Sequence, residues 1–136
     1  MTLTIRPAAP DEAPAVLDVW HTSELETSVV DTVEQIERVI ETGGLLVAVD
    51  DGEIVGTLIA AFDGWRGTYY RLRVLESHRR RGIARALLDE GERRLRALGC
   101  VRADAIVLQD NDAAVSFWTN AGYPLDTEGG RHVKSL

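Results

Sequence analysis

The sequence predicts an α/β protein, one mixed sheet with helices on both faces, its elements in the order β-αα-βββ-α-β-α-β. Three observations lead there. Residues 45–75 form strand-like runs broken by two tight-turn sequences, which gives three meander strands. Before them lie two stretches whose apolar residues recur at helical spacing. After them helix and strand alternate, and a meander continued that way implies a mixed sheet covered on both faces.

Each element follows from local sequence. Thr2 to Arg6 alternates apolar and polar and reads as a short strand, stopped by Pro7. Asp11 precedes Ala13, Val16, Leu17 and Trp20, which share one helical face. Asp31 is placed to cap a second helix with the buried stripe Val33, Ile36, Val39 and Ile40, and Gly43-Gly44 ends it. Leu45 to Val49 is a strand, Asp50 to Glu53 a hairpin turn, and Ile54 to Phe62 the returning strand. Asp63 to Gly67 is a second turn, leading into a strand from Thr68 to Leu75. A long helix follows Gly82, with Ile83, Leu87, Leu88, Leu95 and Leu98 roughly on one side, and Gly99 stops it. Arg102 to Leu108 is a strand. Asn111 or Asp112 then opens a helix carrying Ala114, Val115, Phe117 and Trp118, ended by Gly122. Arg131 to Leu136 is expected to form a last strand, whose edge would suit a homodimer.

The 136 residues read as one domain, 1–136, without linker, repeat or low-complexity stretch. Hydrophobic residues at 45% and charged residues at 27% are ordinary for a soluble globular chain. No apolar run approaches the roughly 20 residues of a membrane span, so no membrane partner is expected. The first five residues lack the basic and apolar regions of a secretory signal. A single cysteine, Cys100, cannot form an internal disulfide, which fits a reducing cytoplasm. Charge is unevenly placed: residues 1–63 carry 13 acidic and 2 basic side chains, residues 64–136 carry 9 acidic and 13 basic. The net charge of −7 argues against a nucleic-acid partner, while the basic segment suits a local anion. His21, His78 and His132 show no metal-ligand spacing, so no metal is expected.

Chemistry concentrates between Leu72 and Arg85, where a strand runs into an arginine-rich loop that opens the long helix. Free N–H groups and the positive end of the dipole make a helix start an anion site. Gly82 has no Cβ and Ala84 is small, so a bulky phosphate can approach the backbone closely. Arg79, Arg80, Arg81 and Arg85 add charge that can pair phosphate oxygens. The combination suits a pyrophosphate. A Walker loop is excluded, because no Lys-Ser/Thr pair follows the glycine, and the G-x-G-x-x-G run of a dinucleotide turn is absent.

Arg79-Arg80-Arg81-Gly82-Ile83-Ala84 resembles the Q/R-x-x-G-x-G/A signature of the GNAT acetyltransferase superfamily, and Leu72-Arg73-Val74 resembles the strand that leads into it. Asn111, Ala114, Phe117, Trp118, Gly122 and Tyr123 are similar to the family's second motif, N-x-x-A-x-x-F/L-Y-x-x-x-G-F/Y. The resemblance covers essentially the whole chain and is strongest to small bacterial members with a D-G-x-R-G turn, here Asp63 to Gly67. It implies an acetyl-CoA-dependent N-acetyltransferase. By that resemblance, the backbones of Leu72, Arg73 and Val74 are expected to bond the pantetheine arm. The segment from Arg79 through Ile83 and Ala84 to Arg85 would hold the pyrophosphate. Asn111 would contact the pantetheine region, with Ala114, Phe117 and Trp118 lining the thioester end.

In that family a neutral amine attacks the thioester directly within a ternary complex. The protein must orient the reactants, remove the amine proton and stabilise charge on the thioester oxygen. The backbone N–H of Val74 is the expected donor to that oxygen. Position 118 holds Trp where many relatives carry the tyrosine proposed to protonate the leaving thiolate. An indole N–H donates a hydrogen bond but is no practical acid, which leaves Tyr70 or solvent. Glu24 and Glu26 are the candidates for taking the amine proton, and Asp31, Asp63 and Arg66 are expected beside the acceptor. The acceptor expected first is a small cationic amine, with a protein N-terminus or lysine as the second enzyme reading. From a different class, a non-catalytic acyl-CoA-binding sensor would explain both Trp118 and the lack of an obvious base.

Overall fold

The computed structural model describes residues 2–22 and 28–136. Strands β1 (Leu3–Pro7), β2 (Leu45–Asp50), β3 (Glu53–Phe62), β4 (Gly67–Val74) and β5 (Ala103–Ala105) form one sheet in that order. The first four are antiparallel to their neighbours, and β5 joins β4 in parallel. The α-helices are α1 (Ala13–His21), α2 (Val33–Glu41), α3 (Ile83–Ala97) and α4 (Asp112–Asn120). Among the described residues, no helix is long and apolar enough to cross a membrane.

Strand alternation sorts the apolar side chains into two cores, one on each face of the sheet. Leu45, Val47 and Ile59 pack against Val16, Trp20, Ile36 and Ile40 of α1 and α2. Leu46, Leu58 and Ala60, their neighbours along the same strands, pack against Ile83, Leu87, Leu88 and Leu95 of α3 and Trp118 of α4. Each fully buried Leu, Ile or Val contributes roughly 1.5–3 kcal/mol. The long helix lies close on the sheet because Gly91 faces it. A Cβ at Gly91 would stand 3.0 Å from Leu58 Cδ2 and 3.2 Å from Tyr69 Cε1.

Three expectations are corrected. Residues 131–136 form no strand: Val133 and Leu136 are fully or largely exposed, and the segment has no apolar face to bury. It therefore supplies no edge for a second copy. β5 ends at Ala105 instead of Leu108, and Ile106 and Leu108 beyond it are exposed. Asp31 does not cap α2. That role falls to Thr32, whose Oγ1 accepts the Gln35 N–H at 3.2 Å, because Asp31 is drawn into a tertiary ion pair.

One surface contact carries a pH signature. Arg6 donates from Nη1 and Nη2 to the two oxygens of Glu12 at 2.7 and 2.9 Å, tying β1 to the approach of α1. The Arg6 hydrogen bonds, helped by the Ala9 N–H, hold the Glu12 carboxyl below its ordinary value of 4.5. A depressed carboxylate stabilises the fold above its unfolded pKa, and that stability is lost as pH falls through the folded value. Glu12→Gln is thus expected to lose about 1 kcal/mol in urea unfolding at neutral pH. The gap between variant and parent should close as the pH drops below 4.5.

Candidate active site

The candidate cleft is the gap left where the pairing of two strands stops. β4 pairs with β5 only from Gly67↔Ala103 to Tyr69↔Ala105, yet it continues beside β3 as far as Val74. Between Thr57 and Ile59 the β3–β4 register shifts, and Arg71 takes the left-handed conformation with φ 52°. Such a bulge bends its strand and raises the local twist. Here it lies at the point where β4 leaves β5. Beyond it, the Leu75 N–H donates to the Val55 carbonyl at 2.9 Å. In an antiparallel ladder successive residues point their N–H and C=O groups to opposite sides, so those of Val74 face away from β3 into the cleft. Leu72 shares that phase. Both carbonyls are capped by arginine: Arg79 Nε donates to Val74 O at 3.3 Å and Arg73 Nη1 to Leu72 O at 2.9 Å.

A buried relay holds the bulge. Trp20 Nε1 donates to Thr57 Oγ1 at 2.9 Å, and the Thr57 hydroxyl donates to the Arg71 carbonyl at 2.8 Å. The Arg71 guanidinium lies 5.5 Å from the Trp20 ring centroid and donates to Asp31 Oδ1 from Nη2 at 2.8 Å and from Nε at 3.3 Å. Asp31 Oδ2 accepts the Ser28 N–H at 2.9 Å, so both oxygens of that carboxylate are engaged.

The arginine loop lies at the far end of β4. Arg80 and Gly82 both have positive φ, 65° and 77°, and Gly82 is the N-cap of α3. Nothing stands within 4 Å of the position a Gly82 Cβ would take, so the helix start is open on that side. The loop is anchored from beneath by Asp50 at the end of β2. Asp50 Oδ2 lies 3.3 Å from His78 Nε2 and 3.8 Å from Arg81 Nη1, while Oδ1 is buried with no hydrogen-bond partner among the described residues. Arg79 is on the Val74 carbonyl, and Arg85 pairs with Asp89 one turn along the helix at 3.0 Å.

The second motif occupies α4. Asn111 caps it, with Oδ1 accepting the Ala114 N–H at 3.0 Å. Trp118 is buried and belongs to an aromatic cluster, 5.6 Å from Tyr69, 5.5 Å from Phe117 and 5.4 Å from Tyr123 between ring centroids. The Tyr69 and Tyr123 hydroxyls share a hydrogen bond of 3.0 Å. Burial, reinforced by that bond, pushes the Tyr69 hydroxyl far above its ordinary value. Tyr70 is 46% exposed and pairs with Ile59, so it points to the α1–α2 face. Asp63 Oδ1 accepts the N–H groups of Trp65 and Arg66, each at 2.8 Å, and Arg66 stacks on Trp65 at 4.7 Å. That turn adjoins Gly67, at the end where β4 and β5 stay paired, so Asp63 and Arg66 stand at the closed end of the cleft. Glu24 and Glu26 lie outside the described residues. The roles of Asp50, Thr57 and Arg71 escape sequence reasoning. Only Thr57, a polar residue in the strand-like run Val55 to Ala61, carries a signal, since a buried hydroxyl needs a partner.

Residues 11–123 match the family model described as Acetyltransferase (GNAT) family. A protein named acetyltransferase ECA0875, from Pectobacterium atrosepticum, is 36% identical over 123 residues, covering 89% of this chain and 87% of its own. PaiA N-acetyltransferase from Thermoplasma acidophilum, solved in complex with coenzyme A, has a TM-score of 0.83 at 16% identity, over 96% of this chain and 94% of that one. Aminoglycoside N-acetyltransferase AAC(6')-Iy, solved with CoA, has a TM-score of 0.82 at 16% identity, over 99% and 96%. At such identities these two structures speak for the fold alone. The parted strands, the open glycine at the start of α3 and the sequence match agree: the chain belongs to the GNAT family and is an acetyl-CoA-dependent acyltransferase.

Proposed function

We propose that this acyltransferase moves the acetyl group of acetyl-CoA to the primary amine of a small molecule, by direct attack in a ternary complex. The observation that supports this best is the cleft itself, where the N–H of Val74 faces the gap between β4 and β5 and the open start of α3 adjoins it. The pyrophosphate would lie on the amides around Gly82 with Arg79, Arg80 and Arg85 near it. The pantetheine would replace the arginines now capping Leu72 and Val74, with Asn111, Ala114 and Phe117 on its other side. The amine nitrogen bonds to the thioester carbon, the C–S bond breaks, and the Val74 N–H stabilises charge on the carbonyl oxygen. The amine loses a proton and the thiolate gains one. Tyr70 is the exposed hydroxyl on the acceptor side and is our candidate acid, whereas Trp118 serves the core.

The test is release of free thiol from acetyl-CoA with a panel of amino acids, polyamines, aminoglycosides and peptides. Turnover with one class establishes the transferase and its acceptor. Tight acetyl-CoA binding without turnover on any of them favours the sensor reading, and transfer only to peptides favours a protein acceptor. Asp50 supplies a further expectation. Asp50→Asn removes the charge that anchors His78 and Arg81, so the KM for acetyl-CoA should rise roughly tenfold, the worth of one charge-assisted contact. A smaller change in kcat is expected, since Asp50 touches neither reacting atom.

A further inference from the structure

We propose that Arg73 is an acceptor-binding residue which holds a carboxylate of the acceptor, so that the acetylated amine belongs to an α-amino acid or a similar amino-carboxylate. The proposal rests on the acetyl-transfer reading above and names its substrate class. Arg73 stands opposite Thr57 in the β3–β4 register, and residues directly opposite each other share a face of the sheet. Thr57 meets Trp20 of α1, so that face is the α1–α2 side. Tyr70, opposite Ile59, shares it. Leu72 and Val74 instead pack toward the core beneath α3. Phosphates at the start of α3 and a second substrate coming past Tyr70 and Arg73 would therefore reach the cleft from opposite sides.

On that second side the two guanidiniums are not equivalent. Arg71 is matched by Asp31, whose other oxygen is taken by the Ser28 N–H. Arg73, half-buried, makes one hydrogen bond, to the Leu72 carbonyl beside it, and pairs with no carboxylate among the described residues. A guanidinium carries five N–H donors in a planar fork suited to a carboxylate, so most of that capacity is unused. Burial and the nearby Arg71 both disfavour its charge, and only Asp31 partly offsets them. An incoming carboxylate would relieve that penalty. A polycation would meet it with like charge, which moves the expected acceptor away from the small cationic amine expected first. The amine and carboxylate of one small molecule would then lie on the cleft and on Arg73 respectively.

The experiment compares kcat/KM for α-amino acids and their matched amides, in the parent, Arg73→Met and Arg73→Lys proteins. Acetyl-CoA affinity is measured separately by calorimetry. The parent should prefer the free acid by roughly 10- to 100-fold, the factor expected of a charge-assisted hydrogen-bonded pair. In Arg73→Met, which keeps the stem and removes the charge, the preference should collapse through a raised acceptor KM. Arg73→Lys should recover part of it. Equal or faster transfer to the amides by the parent overturns the proposal, as does a preference that survives in Arg73→Met. So does acetyl-CoA binding without transfer to any amino-carboxylate. Failure to bind acetyl-CoA at all overturns the underlying transferase reading instead.

Discussion

Gly82→Glu is expected to lower acetyl-CoA affinity by a hundredfold or more while leaving the protein folded. Gly82 has φ 77°, a conformation that disfavours any side chain by roughly 1–2 kcal/mol. That strain is tolerable within a total stability of about 5–15 kcal/mol. Space is no obstacle, since nothing lies within 4 Å of the Cβ position. The larger effect is electrostatic. A carboxylate placed about 4 Å from a phosphate oxygen is opposed by roughly 4 kcal/mol at an effective dielectric of 20. It would also compete for the helix-start amides. Calorimetric titration with acetyl-CoA reads the loss, and far-UV circular dichroism with a thermal melt checks the fold. Gly82→Ala separates the causes, because it carries the backbone strain without the charge and should weaken binding about tenfold at most. Affinity within threefold of the parent in Gly82→Glu would mean that the pyrophosphate does not lie at the start of α3.

Gly82 was legible in the sequence because its requirement is local. A glycine at the junction of an arginine loop and a periodic apolar helix marks the left-handed backbone found at the start of α3, and makes that start the candidate anion site. The two hairpins and the long helix were legible for the same reason, as their turn residues and apolar periods lie within a few positions of one another. The shape of the cleft was not. It depends on Arg71 adopting positive φ, a conformation no arginine signals, and on a hydroxyl relay from Trp20 through Thr57 that spans 37 residues. Ile106, Val107 and Leu108 read as strand by composition, yet β4 pairs with β5 only as far as Ala105, and beyond it they pair with no strand among the described residues. Asp31 read as a helix cap because it precedes an amphipathic stretch, while its carboxylate is held by an arginine 40 positions away. Trp118, which the resemblance leads one to expect at the thioester end, is instead buried. Its neighbours Tyr69 and Tyr123 make it part of the core beneath β4.

Arg71→Ala should destabilise the protein by about 3 kcal/mol, the lower end for breaking a buried pair. The side chain of Asp31 is 5% exposed, so removing Arg71 leaves a carboxylate with little water and, among the described residues, no cation in contact. Alanine does nothing for the left-handed backbone at this position, where φ is 52°. Arg71→Gly removes that strain and should be about 1 kcal/mol more stable than Arg71→Ala, although both lose the ion pair. Asp31→Asn combined with Arg71→Ala should recover part of the loss, because no charge is then left buried. Urea unfolding of the parent, Arg71→Ala, Asp31→Asn and the double variant gives a coupling energy, expected at about 1–3 kcal/mol for residues in direct contact. Additive single effects would show that the pair does not hold the bulge. The double variant also separates stability from activity. If its stability returns toward that of the parent while its turnover stays low, the bulge acts by setting where β4 leaves β5 and hence where the Val74 N–H points. If turnover returns with stability, the relay through Thr57 suffices to place that N–H, and the ion pair serves the fold alone.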